Sequence, residues 1–144
     1  PVFTVVRSDK LVYTTDDQVA VFTSEGKAPA RLERAGMTVT GREIRAFLND
    51  SESEDDQSSF SRAVAEGAVE IVQTAPGHTR NGTAEHADYY PDEGKIILEG
   101  GQPVFIDSIK GRTQGRQLTY FSNDDRLLVD GVEQRRAESV LKRK

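Results

Sequence analysis

The chain has no cysteine, no tryptophan and a single methionine in 144 residues. Without cysteine there can be no disulfide, thiolate metal ligand or cysteine nucleophile; the compartment is left open. No apolar run approaches the roughly 18 residues that a membrane-spanning helix requires. A basic excess is also missing. The 19 Lys and Arg against 24 Asp and Glu give a net charge of −5, the reverse of a general nucleic-acid binder. No charged segment followed by an apolar one opens the chain at Pro1, so any signal peptide is expected to have been removed or never present. The length suits one domain spanning 1–144, and the 35% apolar fraction gives it a modest core.

What is present is a repeat. Gly115-Arg116-Gln117-Leu118-Thr119-Tyr120-Phe121-Ser122-Asn123-Asp124 aligns with Gly41-Arg42-Glu43-Ile44-Arg45-Ala46-Phe47-Leu48-Asn49-Asp50, sharing Gly, Arg, Phe, Asn and Asp. A further copy lies at Ala84 to Asp92, with Tyr89-Tyr90 falling on Tyr120-Phe121, and another at Ser8 to Tyr13. Gly100 follows Tyr89 by eleven residues, and Gly131 follows Tyr120 by eleven. Ser24 takes that place after Tyr13, whereas Gly67 is displaced from Ala46 by an inserted stretch. The insertion maps to residues 50–59, which hold five acidic residues and four serines. Self-similarity of this kind marks one supersecondary unit used several times, here four.

Each unit reads as strand, hairpin, strand. An alternating run is followed by a polar turn, a second alternating run, a Gly or Ser, and a third short run such as Val69-Glu70-Ile71 or Pro103-Val104-Phe105-Ile106. Period-two alternation with turn residues every 8–12 positions indicates an all-β fold. Helical character is expected only in the charged tail at 133–144. Leu11 and Tyr13 share one face, with Val12 and Thr14 opposite; Leu118 and Tyr120 stand likewise against Gln117 and Thr119. Phe22, Leu98 and Val129 are expected on the same inner face. Two layouts bury it: a jelly-roll of two facing antiparallel sheets, or a coiled β-solenoid. Ala20, Ala46, Ala65 and Ala87 make parts of the lining small. Such a lining leaves a trough or lets the sheets splay; a normally packed sandwich fits the composition equally well.

The units resemble the LptA/OstA family of lipopolysaccharide-transport proteins, which also supplies parts of LptC and the periplasmic domain of LptD. The clearest match is Gly82-Thr83-Ala84-Glu85-His86-Ala87-Asp88-Tyr89, then Gly94-Lys95-Ile96-Ile97-Leu98-Glu99-Gly100, then Pro103-Val104. The resemblance covers roughly Ser8 to Gly131; the insertion at 50–59 and Ala46 depart from it. It implies a non-enzymatic periplasmic β-jelly-roll, with no cofactor, that holds lipopolysaccharide acyl chains inside. Implied partners are LptC- and LptD-like proteins and further copies joined head to tail into a bridge between the two membranes. The lining positions it implies are Leu11, Tyr13, Phe22, Ile44, Tyr89, Ile96, Leu98, Leu118, Tyr120, Leu127 and Val129.

Other features read more plainly. His78 and His86, with Glu85 and Asp88 nearby, are expected on a solvated surface rather than in a metal site. No Gly-x-Ser-x-Gly elbow supports a hydrolase. The acidic stretch at 50–59 reads as a solvated hairpin tip, and it has no Gly where a calcium loop needs its sharp turn. Gly100-Gly101 opens no helix, which argues against a phosphate loop. Asn81-Gly82 reads as turn chemistry. Arg135 to Lys144 is a basic tail able to touch phosphates, block a sheet edge or stay frayed. Two rival readings remain. One is a scaffolding β-solenoid that polymerises without lipid; the other is a carbohydrate-binding or hydrolytic β-domain.

Overall fold

The computed structural model describes residues 4–34, 36–48, 60–122 and 126–130, together with the backbone of 138–141. The stretch expected as an acidic hairpin tip, and Gly131, lie outside the described residues. The described strands are β1 (Thr4–Arg7), β2 (Lys10–Thr14), β3 (Val19–Thr23), β4 (Ala30–Arg34), β5 (Met37–Gly41), β6 (Glu43–Leu48), β7 (Phe60–Ala75), β8 (His78–Tyr90), β9 (Lys95–Glu99), β10 (Val104–Asp107), β11 (Gly111–Gln114), β12 (Gln117–Phe121), β13 (Arg126–Asp130) and β14 (Glu138–Leu141). All their pairings are antiparallel.

Two long strands organise the rest. β7 and β8 form one hairpin closed by Pro76-Gly77, with Gly77 at φ 89°, the residue pair a tight turn with one left-handed position prefers. Their far ends belong to different branches of a single sheet. One branch runs β1-β4-β5-β7-β8-β10-β11-β14, and the other runs β2-β3-β6-β7-β8-β9-β12-β13. The branches face each other across one apolar cluster, joining Leu32, Val39, Ile71 and Phe105 of the first to Ile44, Leu98, Leu118 and Tyr120 of the second. This is an open, two-sheet β-jelly-roll rather than a solenoid.

The register explains why alternating residues suffice. In the first branch Val6, Leu32, Val39, Ile71, Gly82, Phe105 and Thr113 stand opposite one another, strand by strand. In the second, Leu11, Phe22, Ile44, Ala65, Ala87, Leu98, Leu118 and Val129 make an equivalent row. Side chains on alternate residues share a face, so a row in register becomes a continuous apolar stripe. The outer faces are mixed: charged pairs such as Arg45–Glu66 and Arg62–Asp88 stand among apolar residues such as Val12, Val21, Val64, Ile97 and Leu128.

Between the branches the chain turns a corner, and the repeat's glycine sits there. Gly67 and Ala68 have φ of 86° and 49° and form the bulge where the β7–β8 register shifts between Glu66 and Val69. Arg42 N donates to Gly67 O at 3.1 Å, and Ser24 N donates to Arg42 O at 3.0 Å. Glu85 N donates to Gly100 O at 3.1 Å. Gly100, Gly67 and the serine that replaces them in the first unit thus lie where the chain leaves the second branch. A bulge bends a strand and re-aims its side chains, which lets one strand serve two facing walls.

Two expectations from sequence are corrected. The tail read as helical contains β14, which pairs with β11 through Gly111↔Leu141 to Gln114↔Glu138; the unpaired backbone of a sheet edge outweighs a weak local helical preference. Asn81-Gly82 is not a turn but the middle of β8. Gly82 is needed there because a Cβ would lie 2.8 Å from Leu98 Cδ1, which reaches over from the opposite branch.

The corner account predicts a contrast between two glycines that share a left-handed φ. At Gly67 a Cβ would also meet Arg42 Nε at 2.6 Å and Arg42 Cβ at 2.9 Å, whereas at Gly77 nothing lies within 4 Å. Gly77→Ala should cost about 1 kcal/mol from backbone strain alone. Gly67→Ala should cost roughly 1–2 kcal/mol more. Urea unfolding of both variants checks this, and equal losses would refute the corner's steric role.

Candidate functional site

The interior between the branches is the candidate site. All eleven residues singled out from sequence lie on the inner face of the second branch, in two adjacent rows. The first row carries Leu11, Phe22, Ile44, Leu98, Leu118 and Val129. The next runs Tyr13, Ala20, Ala46, Ala63, Tyr89, Ile96, Tyr120 and Leu127. Ile44, Ile96, Leu98, Leu118 and Tyr120 are buried, and Phe22, Tyr89, Leu127 and Val129 pack against the core while partly exposed. Leu11 and Tyr13 differ: they are 57% and 48% exposed, on the edge strand β2. The apolar stripe therefore runs from a filled middle to an open end.

The opposite wall was not singled out from sequence. Leu32, Met37, Val39, Val69, Ile71 and Phe105 supply it, all buried. Its signal was present as alternation in Ala30-Arg31-Leu32-Glu33 and Met37-Thr38-Val39. Those strands are short, however, and Gly82, Thr113 and Arg80 interrupt the apolar pattern on the same face.

The middle is closed. A cavity of about 10 Å³, lined by Leu32, Val39, Ile71, Ile44, Ala63, Ala65, Ala87 and Tyr89, has room for about one water. The alanines on β7 and β8 let the walls approach here instead of leaving a trough. Aromatic contacts fasten the mouth. Phe105 stacks on Tyr120 with centroids 4.9 Å apart, and Arg80 lies over the same Tyr120 ring at 5.5 Å. On the other side Phe60 meets Tyr89 at 6.0 Å, with Arg34 over Phe60 at 5.6 Å. Each is a first-branch side chain on a second-branch ring, apart from the Phe60–Tyr89 pair within the second branch.

One buried ion pair stands in this wall. Arg80 Nε donates to Asp107 Oδ2 at 3.2 Å, and Asp107 Oδ1 accepts from the backbone N–H groups of Ile109 and Lys110 at 2.8 and 2.9 Å. Burial raises the Asp107 pKa, but the Lys110 and Ile109 N–H groups, His78 and Arg80 outweigh it and hold the carboxyl below its ordinary 3.8. His78 Nδ1 approaches the same carboxylate at 3.6 Å.

The outer face of the second branch carries a chain of charges. Arg45 joins Glu43 and Glu66; His86 lies between Glu66 Oε2 and Asp88 Oδ2, 3.1 Å from each; Asp88 Oδ1 takes Arg62 Nη2 at 2.7 Å. Both histidines were expected on a solvated surface, yet each is partly buried against a carboxylate from another strand, His78 against Asp107 and His86 against Glu66, with Asp88 of its own strand on His86's other side. Among the described residues no group of three or more His, Cys, Asp or Glu is placed to hold a metal ion.

The described residues form a β-jelly-roll with two facing apolar walls, an architecture suited to holding an apolar ligand between them. A model of the LptA/(LptD N-terminal domain) LPS transport protein family matches residues 4–126, and the chain belongs to that family of transport proteins, which are not enzymes. The crystal structure of LptH from Pseudomonas aeruginosa, described as the LptA-homologous periplasmic component of the lipopolysaccharide transport device, superposes with a TM-score of 0.77. The alignment covers 98% of this chain and 94% of that one at 13% identity, a likeness of fold. No curated protein matches the chain.

The Asp107 environment gives a pH prediction. Its folded pKa is depressed, so its stabilisation is fully present above the unfolded value near 3.8 and is lost as pH falls through the lower folded value. Asp107→Ala should cost about 3 kcal/mol at pH 7, because Arg80 and two N–H groups lose their acceptor in a buried site. The difference from wild type should shrink at pH 2. Unfolding midpoints at both pH values check it.

Proposed function

We propose that the chain is a periplasmic carrier of lipopolysaccharide that holds acyl chains between its two branches and joins other copies, and LptC- and LptD-like proteins, edge to edge. The observation that carries this is the pair of in-register apolar stripes facing each other and continuing to exposed ends, in a chain of the lipopolysaccharide-transport family. Leu11, Tyr13, Phe22, Ile44, Tyr89, Ile96, Leu98, Leu118, Tyr120, Leu127 and Val129 are the acyl-chain contacts.

The energetics suit transfer rather than storage. Burying one CH₂ is worth about 0.8 kcal/mol against water, so a chain of a dozen carbons gains roughly 10 kcal/mol. Against bilayer hydrocarbon the exchange is close to neutral, since both environments are apolar. The closed middle means that the branches part to admit a chain, and the contacts among Arg80, Tyr120, Phe105, Arg34 and Phe60 are the ones exchanged for lipid contacts.

Assembly uses the edges. β2 and β13 end the second branch and β1 and β14 end the first, among the described residues. Edge strands offer unpaired N–H and C=O groups to another chain. Leu11, Val12 and Tyr13 on β2 and Leu128 on β13 are about half exposed, so a second copy continuing the sheet would also cover apolar surface.

One observation favours a second reading. A cavity of only about 10 Å³ between Leu32, Val39, Ile44 and Tyr89 is also what a lipid-free scaffold that polymerises through its edges would have. Leu118→Asp cannot separate the two, because it buries a carboxylate at a fully enclosed position and destabilises either. Photo-crosslinking can. A photoreactive residue at Phe22 or Tyr120, facing inward, should give lipopolysaccharide adducts, while one at Val21 or Thr119, facing outward, should not. Folded protein with no inward adduct, or with equal adducts on both faces, would leave the scaffold reading.

A further inference from the structure

The inner face of the first branch carries an outer row that is not apolar. Thr4, Arg34, Met37, Gln73, Arg80 and Asp107 stand opposite one another along it. Its two arginines are held differently. Arg80 is buried and its charge is met by Asp107 at 3.2 Å. Arg34 is only partly buried, and among the described residues no carboxylate lies within ion-pair distance of it. Arg34 Nη1 donates to the Thr4 hydroxyl at 2.6 Å, its plane lies over the Phe60 ring at 5.6 Å, and it sits beside the Tyr89 hydroxyl.

A cation on an apolar wall is costly unless an anion or several acceptors satisfy it. Among the described residues Arg34 has only the Thr4 hydroxyl, the Phe60 ring and the Tyr89 hydroxyl about it; the groove of about 420 Å³ beside it opens on the outer side of the sheet, along Val5, Glu33, Thr38 and Val72. The neighbouring carboxylate in that groove, Glu33, belongs to the outer face of β4 and is taken by Arg31 at 2.7 Å.

We propose that Arg34, with the Tyr89 hydroxyl beside it, is the recognition point for the phosphate monoester of an amphiphile whose acyl chains occupy the interior. The idea rests on the acyl-chain reading given above. A guanidinium presents two parallel N–H donors to a phosphate, and Phe60 beneath it keeps the fork flat and aimed at the mouth. Burial raises the Tyr89 pKa, more than Arg34 lowers it, and the nearby Asp92 carboxylate raises it further, so the phenol stays protonated and able to donate. Binding the phosphate draws Arg34 off Phe60 and Tyr89, releasing one fastening of the mouth as the chains enter. Arg80, already neutralised, plays no such part and serves as a strut.

The test compares dioctanoyl phosphatidic acid with dioctanoylglycerol, which share acyl chains and differ by the phosphate, using titration calorimetry on the intact chain. Wild type should bind the phosphatidic acid roughly tenfold more tightly, the size of one charge-assisted hydrogen-bond set. Arg34→Gln should bring the two affinities within about twofold of each other, any change from the freed mouth acting on both amphiphiles alike, and Arg34→Lys should retain part of the preference. Arg80→Gln should lower the unfolding midpoint but keep the preference. An unchanged preference in a folded Arg34→Gln, or none in wild type, overturns the proposal alone. Millimolar inorganic phosphate displacing the phosphatidic acid would make this a general anion site, and the lipid assignment would fall. Failure of both amphiphiles to bind would remove the acyl-chain reading and this proposal together.

Discussion

The structure depends on a backbone constraint at its corner. Two facing walls must be built from one continuous sheet, so a strand has to leave one wall and join the other without losing its inward alternation. On β7 the extra residue in the Gly67-Ala68 bulge achieves this; on β8, Glu85 and His86 both turn outward, and the inner series passes from Ala84 to Ala87. The hydrogen bonds Ser24–Arg42, Arg42–Gly67 and Glu85–Gly100 hold successive crossings in line. A side chain at Gly67 would strike Arg42 there. The recurrence of glycine in the sequence is the trace of this geometry.

Given that corner, the interior is a balance between closeness and capacity. Alanines at 63, 65 and 87 bring the walls together near the corner, and Leu98 of one wall lies in the space that Gly82 leaves in the other. Farther out, rings and arginines bridge the gap. Such contacts are individually worth about 1 kcal/mol, small enough to be exchanged for lipid methylenes one at a time. On the proposed carrier reading, a core of large branched residues would be stabler but would leave lipid nothing to displace.

Much of this could be read in the chain. The inner rows of the second branch were legible because Gln117-Leu118-Thr119-Tyr120 alternates locally and the repeat carries its phase to Leu11 and Tyr13, where the apolar Val12 hides it. The spacing from Tyr89 to Gly100 was legible as a repeat, but its meaning, a crossing between walls, appears only when distant strands are stacked. The first branch was less legible because Arg34, Gln73, Arg80 and Gly82 occupy inward positions where a pattern search expects apolar residues. Long-range partners decide the rest. His86 looks like a surface residue beside Glu85, yet its ring lies between Glu66 on another strand and Asp88. Glu138–Leu141 is a strand because β11 has an edge to offer.

The central claim is that ligand is held between the branches, which part to receive it. Because the chain has no cysteine, Thr40→Cys and Thr119→Cys can carry a pair of spin labels on the outer faces of the two walls without background. Electron–electron distance measurements with and without lipopolysaccharide then report the opening directly. The account predicts a longer and broader distance distribution when lipid is bound. An unchanged distribution at saturating, demonstrably bound lipid would contradict it and place the ligand outside the fold.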